Sequence, residues 1–246
     1  MMSVFDRWSR RLGLVLIVVG ALTIMWALVV WRWQDPFTAL YTRYEQHELS
    51  RKYERRAHAF ALTPPTTVKV VAASADRTNA GLLREREAVA RDASRYRAAS
   101  REGDPLGRIV IPRLDLDMVF VNGTDGSTLR RGPGRDLETY MPGQNRLVYI
   151  AGHRTTFLAP FAHIESLRRG DRVKLELPYA TFTYAVTRHV VVAADDLAVL
   201  RSGRQEVLAL QACHPRFFAS HRYIVYARPV EIAPNAAGAR PYGPRR

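Results

Sequence analysis

The sequence predicts a mainly β protein, a closed barrel of seven or eight short strands preceded by one transmembrane helix and a partly helical stalk. Three observations predict it. An uncharged apolar run lies close to the N-terminus, a charged stretch with thin helical stripes follows, and from Pro105 onward the hydrophobic period drops to two. The divisions expected are 1–35 for the N-terminus and anchor, 36–104 for the stalk, 105–232 for the barrel and 233–246 for a disordered basic tail.

The apolar run is Leu12–Val30, LGLVLIVVGALTIMWALVV. As a helix rising ~1.5 Å per residue it nearly crosses the ~30 Å hydrocarbon layer. A cleaved signal peptide usually has a shorter apolar core followed by a small-residue cleavage site. Here the run ends in Trp31-Arg32-Trp33, which suits an interfacial belt and a retained single-pass anchor. Arg7, Arg10 and Arg11 precede it, which by the positive-inside bias puts the N-terminus in the cytoplasm and everything from Gln34 outside.

Within the stalk, Phe37, Leu40, Tyr41 and Tyr44 fall at helical spacing, and Pro64-Pro65 ends that pattern. Thr66–Asn79 has no clear period. Leu82–Ser100 has helical composition again, with a stripe of Leu82, Val89, Ala93 and Tyr96 too thin to form a core alone. The expectation is a solvated spacer, part helical and part flexible.

The strand candidates come next. Arg108–Ile111 is short, and Leu114, Leu116, Met118 and Phe120 alternate with Asp115 and Asp117. Leu147–Ala151 is apolar throughout. Val173, Leu175 and Leu177 alternate with Arg172, Lys174 and Glu176, and Phe182, Tyr184, Val186, Val190 and Val192 share one face. Val207–Leu210 and Tyr223–Val230 complete the set. Many short strands with few helices between them suggest closure into a barrel. Asn122-Gly123-Thr124 matches a glycosylation acceptor but reads as a turn after a strand. The tail from Pro234 is rich in Pro, Gly and Arg.

A net charge of +14 raises the question of nucleic acid. The basic residues are spread through the chain and are nearly all arginine, with Lys52, Lys69 and Lys174 the only lysines. No helix-turn-helix, zinc-finger or RNP pattern accompanies them, so anionic lipid or cell wall is the expected counterpart. His153, His163, His189, His214 and His221 are scattered without metal-ligand spacing, and neither metal nor cofactor is expected.

Cys213 is the only cysteine. It ends a buried strand, and after the loop His214–His221 Arg222 opens the next. Two strands joined by so short a loop are antiparallel if they pair, which sets the thiol beside the guanidinium. A nearby cation favours the thiolate, the nucleophilic form. The plainer reading, a small buried hydrophobe, stands beside it. An unpaired cysteine in an exported domain is unusual, and there it is a dimer link or a working nucleophile. Such a nucleophile needs an imidazole partner. His214 adjoins Cys213, but neighbours along a strand point to opposite faces, and His221 meets a similar objection. His153 lies just past the end of the buried strand Leu147–Ala151 and is the remaining candidate, alongside a purely structural role.

The segments IAGHRTTFLAPF (Ile150–Phe161), LRRGDRVKLE (Leu167–Glu176) and LALQACHPRFFASHRYIVYARP, with RGPGRDLETYMPG ahead of them, resemble a sortase. The likeness runs from about Ile109 to Val230 and is greatest to the class E type of high-GC Gram-positive bacteria. It implies a sortase-like barrel with His153, Cys213 and Arg222 as its catalytic residues. It further implies cleavage of a C-terminal sorting signal (LAxTG- or LPxTG-like) of secreted proteins between Thr and Gly, then acyl transfer to an amine of the peptidoglycan precursor. Two positions depart from the family pattern. Ala212 stands where a groove-lining threonine is usual, and Arg135 stands where histidine often follows G-P-G. An L,D-transpeptidase or other cell-wall cysteine peptidase, and a catalytically silent wall-binding barrel, are the rival readings.

Overall fold

The computed structural model describes residues 4–33, 36–62 and 79–235. The Pro64-Pro65 break, nearly all of the 66–79 stretch and the tail beyond Asn235 lie outside the described residues.

Helix α1 spans Val4–Trp33, and its Trp8–Leu28 portion is long and apolar enough to cross a membrane. Helices α2 (Pro36–Leu62) and α3 (Asn79–Ala98) precede the strands. The strands are β1 (Pro105–Ile111), β2 (Leu116–Asn122), β3 (Gly134–Arg135), β4 (Leu147–Ala151), β5 (Arg172–Glu176), β6 (Ala180–Ala193), β7 (Val207–His214) and β8 (His221–Pro234). A one-turn helix α4, Gly126–Leu129, lies between β2 and β3, its N-terminal amides capped by the Asp125 side chain. The strands close in the order β1-β2-β3-β4-β7-β8-β6-β5, with β5 pairing back onto β1. The β2–β3 and β4–β7 pairs are parallel, and the others are antiparallel.

The expected eight-strand limit is therefore reached, and three details differ. Leu114 belongs to a 3₁₀ turn, Pro112–Leu114, rather than to β2, because Asp115 takes a left-handed conformation and breaks the strand. Strand β3 lies in the Gly/Pro-rich R-G-P-G-R stretch, which shows no strand pattern. Two residues carry no period, and only pairing to β2 and β4 makes them a strand. Strand β8 continues to Pro234, which pairs with Ala180, so the barrel runs two residues past its expected end.

Period-two alternation places Val173 and Leu175 of β5, Phe182, Tyr184 and Val186 of β6, and Leu208, Leu210 and Ala212 of β7 in one continuous core. Asn122 does not mark an exposed turn. It is buried, and its amide oxygen accepts from Nε (3.0 Å) and Nη2 (2.6 Å) of Arg135. That explains how arginine is housed after G-P-G. Arg135 also donates to the Thr139 carbonyl, and burial, with Arg97 nearby, pushes its pKa down to about 10.

The expectation of a spacer standing apart from the barrel does not hold for α2 and α3. The thin stripe of α3 completes a core that the barrel supplies, since Val89, Ala93 and Tyr96 are buried with Phe182 and Tyr179. Tyr96 donates to the Leu106 carbonyl at 2.9 Å, and Phe60 of α2 meets its ring edge-on at 5.1 Å. Helix α2 does a different task. Its Gln46 side chain accepts from Val119 N (2.8 Å) and donates to Val119 O (2.9 Å), acting as a ladder partner where β3 is too short to reach. Leu49 packs beside it on Val119 and Val121. At ~1.5 Å per residue, α2 is ~40 Å long and runs the length of the barrel.

If α3 is part of the core, Tyr96→Ala should destabilise the barrel by about 3–5 kcal/mol. Urea unfolding followed by the barrel's near-ultraviolet circular dichroism measures this. An unchanged midpoint would show α3 to be a spacer after all.

Candidate functional site

Strands β4 and β7 run parallel, so their C-terminal ends lie together. Their register matches Leu147 with Val207 and continues to Ala151 with Gln211. Gly152 N then donates to Gln211 O at 3.0 Å, which extends the ladder one residue further. The same register carries His153 to the level of Cys213. On the other side of β7, Cys213 pairs with Arg222 of β8. At this end of the barrel Cys213 and Arg222 are therefore paired across β7 and β8, and His153 lies two residues past the neighbouring end of β4.

Alternation decides which face each side chain takes. Leu208, Leu210 and Ala212 fill the interior, while Ala209 lies in an outer cluster with Leu147, Tyr149 and Ile224. Cys213 continues the outer set and is half-buried. His214 falls on the opposite side, its ring 5.7 Å from that of the inward Tyr223. The objection to His214 therefore stands in three dimensions. Ala212 is fully buried in the core, so a hydroxyl at that position would face the barrel interior and not a surface groove. That corrects the expectation that its loss alters the groove lining.

His153 is held by the loop that follows it. Gly152 has no room for a side chain, because a Cβ there would lie 2.7 Å from the Phe161 ring. Phe161 N donates to the His153 carbonyl at 3.1 Å. The Phe157 ring lies 5.1 Å from the imidazole and screens it from water. Phe157, Leu158 and Ala159 all adopt positive φ (53°, 60° and 38°), a conformation costing side-chain-bearing residues about 1–2 kcal/mol each. The loop is nevertheless pinned: Ala159 N donates to Thr156 O, and Phe157 N donates to Thr38 Oγ1 of α2 at 3.2 Å.

Burial lowers the His153 pKa, and the Arg130 guanidinium lowers it further by repelling the imidazolium. His153 Nε2 is buried and has no hydrogen-bond partner among the described residues. Arg222 Nη1 donates to the carbonyls of Ala219 (2.8 Å) and His221 (3.1 Å), which anchors the guanidinium to the loop after Cys213.

Sequence reasoning assigned no role to Arg154, which the structure makes a brace of the site. Its Nη1 donates to Cys213 O (3.1 Å) and meets His214 Nδ1 (2.9 Å), while Nη2 pairs with Glu165 (2.8 Å). This side chain ties the strand carrying the thiol to the loop carrying the imidazole. No periodicity marks it, and the only signal was its place directly after His153. Among the described residues no group of three or more His, Cys, Asp or Glu side chains gathers to hold a metal ion.

A thiol, an imidazole and a guanidinium at one end of a barrel can attack a carbonyl, protonate a leaving group and hold an oxyanion. Comparison with known proteins bears on which reaction it serves. Residues 109–230 match a family profile described as the sortase domain. The chain is 32% identical to Sortase D of Bacillus subtilis, over 52% of this chain and 65% of that protein. It is 28% identical to Sortase SrtE1 of Streptomyces coelicolor, over 55% of this chain and 43% of that one. The crystal structure of Sortase E1 from Streptomyces coelicolor with a tripeptide in the active site superposes with a TM-score of 0.51 at 28% identity, covering 55% of this chain and 94% of that structure. The chain thus spans 43–65% of the length of these two full-length relatives.

Removing the Arg130 charge relieves a repulsion, so Arg130→Gln should raise the His153 pKa. In NMR titration of the imidazole the midpoint should move to higher pH. An unmoved midpoint would leave burial as the sole cause of the depression.

Proposed function

We propose that the chain is a sortase, a cysteine transpeptidase that anchors secreted proteins to the cell wall, on the match of residues 109–230 to the sortase domain. The observation that carries the reading is the Cys213–Arg222 pair of β7 and β8 beside the end of β4 from which His153 follows.

In this reading the Cys213 thiolate attacks the Thr–Gly carbonyl of a sorting signal. A C–S bond forms and the carbonyl electrons move to oxygen, where Arg222 stabilises them. As the intermediate collapses the C–N bond breaks, and His153 Nε2 gives its proton to the departing amine. An amine of the peptidoglycan precursor then attacks the thioacyl carbon, returns its proton to His153 and releases the thiolate. The depressed His153 pKa lowers the share of imidazolium available at neutral pH to serve as that acid.

The class is E in this proposal, supported by the likeness to Sortase E1, whose solved structure holds a tripeptide in its active site. The 32% identity to Sortase D of Bacillus subtilis favours a class D assignment instead. The arginines in the first turns of α1, ahead of its apolar run, support a cytoplasmic N-terminus with the barrel outside the cell.

Mass spectrometry of protein incubated with sorting peptides tests the chemistry. His153→Ala should abolish the thioacyl adduct on Cys213, and His214→Ala should leave it. Loss of the adduct in His214→Ala alone would overturn the assignment of the acid.

Arg222→Lys separates two roles for the cation. Lysine keeps a charge but lacks the planar forked donor set. Loss of an oxyanion donor costs about 10²–10³ in rate. Turnover should fall by that much while Cys213 alkylation changes little. Near-wild-type transpeptidation would reduce Arg222 to background charge.

A further inference from the structure

The barrel end that bears Cys213 is also the end nearest α1. Phe157, in ring contact with His153, donates its backbone N–H to Thr38 and meets the Tyr41 ring at 6.4 Å. Thr38 lies only five residues beyond Trp33, the last residue of α1. At ~3.3–3.6 Å per residue, five residues reach at most ~18 Å, however the two helices are oriented. The apolar portion of α1, 21 residues long, spans about 31 Å and matches the hydrocarbon layer. The remaining turn to Trp33 carries the chain into the headgroup layer.

A second observation is independent of chain length. Exposed large hydrophobic side chains concentrate at this same end. Leu40 (69% exposed), Tyr41 and Tyr44 lie in the first turns of α2, and Phe217 (61%) and Phe218 (81%) lie in the loop joining β7 to β8. Val191 joins them on β6, opposite Tyr223. Leu83, Leu137, Leu197 and Val230 are the exceptions among the described residues outside α1. Arg216 flanks the aromatic pair, and a cation next to exposed rings is the composition that settles at the headgroup boundary.

We propose that the site-bearing end of the barrel lies on the bilayer crossed by α1, with Phe217 and Phe218 seated in its interfacial layer. The proposal rests on α1 being a membrane anchor. It sets the mouth of the Cys213 site at headgroup level, where a membrane-tethered peptide and an amine on a lipid-linked acceptor both reach it without either leaving the membrane.

The single cysteine makes the test direct. In the full-length chain carrying Cys213→Ala, a fluorophore is attached through Phe218→Cys, or through Gln205→Cys in the exposed segment before β7 at the other end of the barrel. Each protein is reconstituted into phosphatidylcholine–phosphatidylglycerol vesicles with or without brominated acyl chains. The label at 218 should lose about half its emission to bromine, and the label at 205 should be unaffected, since interfacial groups sit ~5–10 Å into the headgroup boundary. Adding Phe217→Ser should weaken the quenching at 218. Vesicle-bound protein with no quenching at 218, or equal quenching at both sites, overturns the proposal. Failure of the protein to float with the vesicles instead takes down the anchoring reading and this proposal with it.

Discussion

The pairing of β4 with β7 is the constraint on which the rest depends. The two strands lie some sixty residues apart in sequence and run parallel, so no tight turn can join them. The connection includes β5 and β6, which close the opposite wall of the barrel. Because side chains alternate, one register fixes two outcomes. Val148, Ile150, Leu208 and Leu210 enter the core, and the outer row ends at the level of His153 and Cys213. A slip of one residue would bury the thiol and turn His214 outward.

The helices before the barrel make that register durable. Helix α3 completes the core at the end away from the site, where Tyr96, Phe60 and Tyr179 stack edge-on. Helix α2 supplies ladder bonds to β2 through Gln46 and pins the strained loop after His153 through Thr38. At the end away from the site, Glu206 is buried with its oxygens taken by Tyr184 Oη (2.6 Å), Gly143 N (2.8 Å) and Asn145 N. Burial raises its pKa, and those bonds offset part of the cost.

The preference for arginine over lysine acquires a structural reason. Arg56, Arg131, Arg135 and Arg154 each join two or more groups from different segments, several of them backbone carbonyls. A forked guanidinium does this and a point-charged ammonium does not. These four arginines are therefore committed to internal bracing.

The sequence by itself determined the strand count to within one, the apolar span and the candidate Cys213–Arg222 pairing. Each depends on local alternation, on composition, or on a loop too short to permit any other pairing of its strands. His153 was legible only as the histidine left after strand direction disfavoured its rivals, and through a family resemblance. Its level relative to Cys213 comes from a register between distant strands that no local pattern encodes. Strand β3, the brace formed by Arg154 and the docking of α2 and α3 were decided by tertiary structure alone. A two-residue strand has no period, a buried arginine looks like any other until its partners arrive, and a thin apolar stripe becomes core only when the barrel presents the surface that covers it.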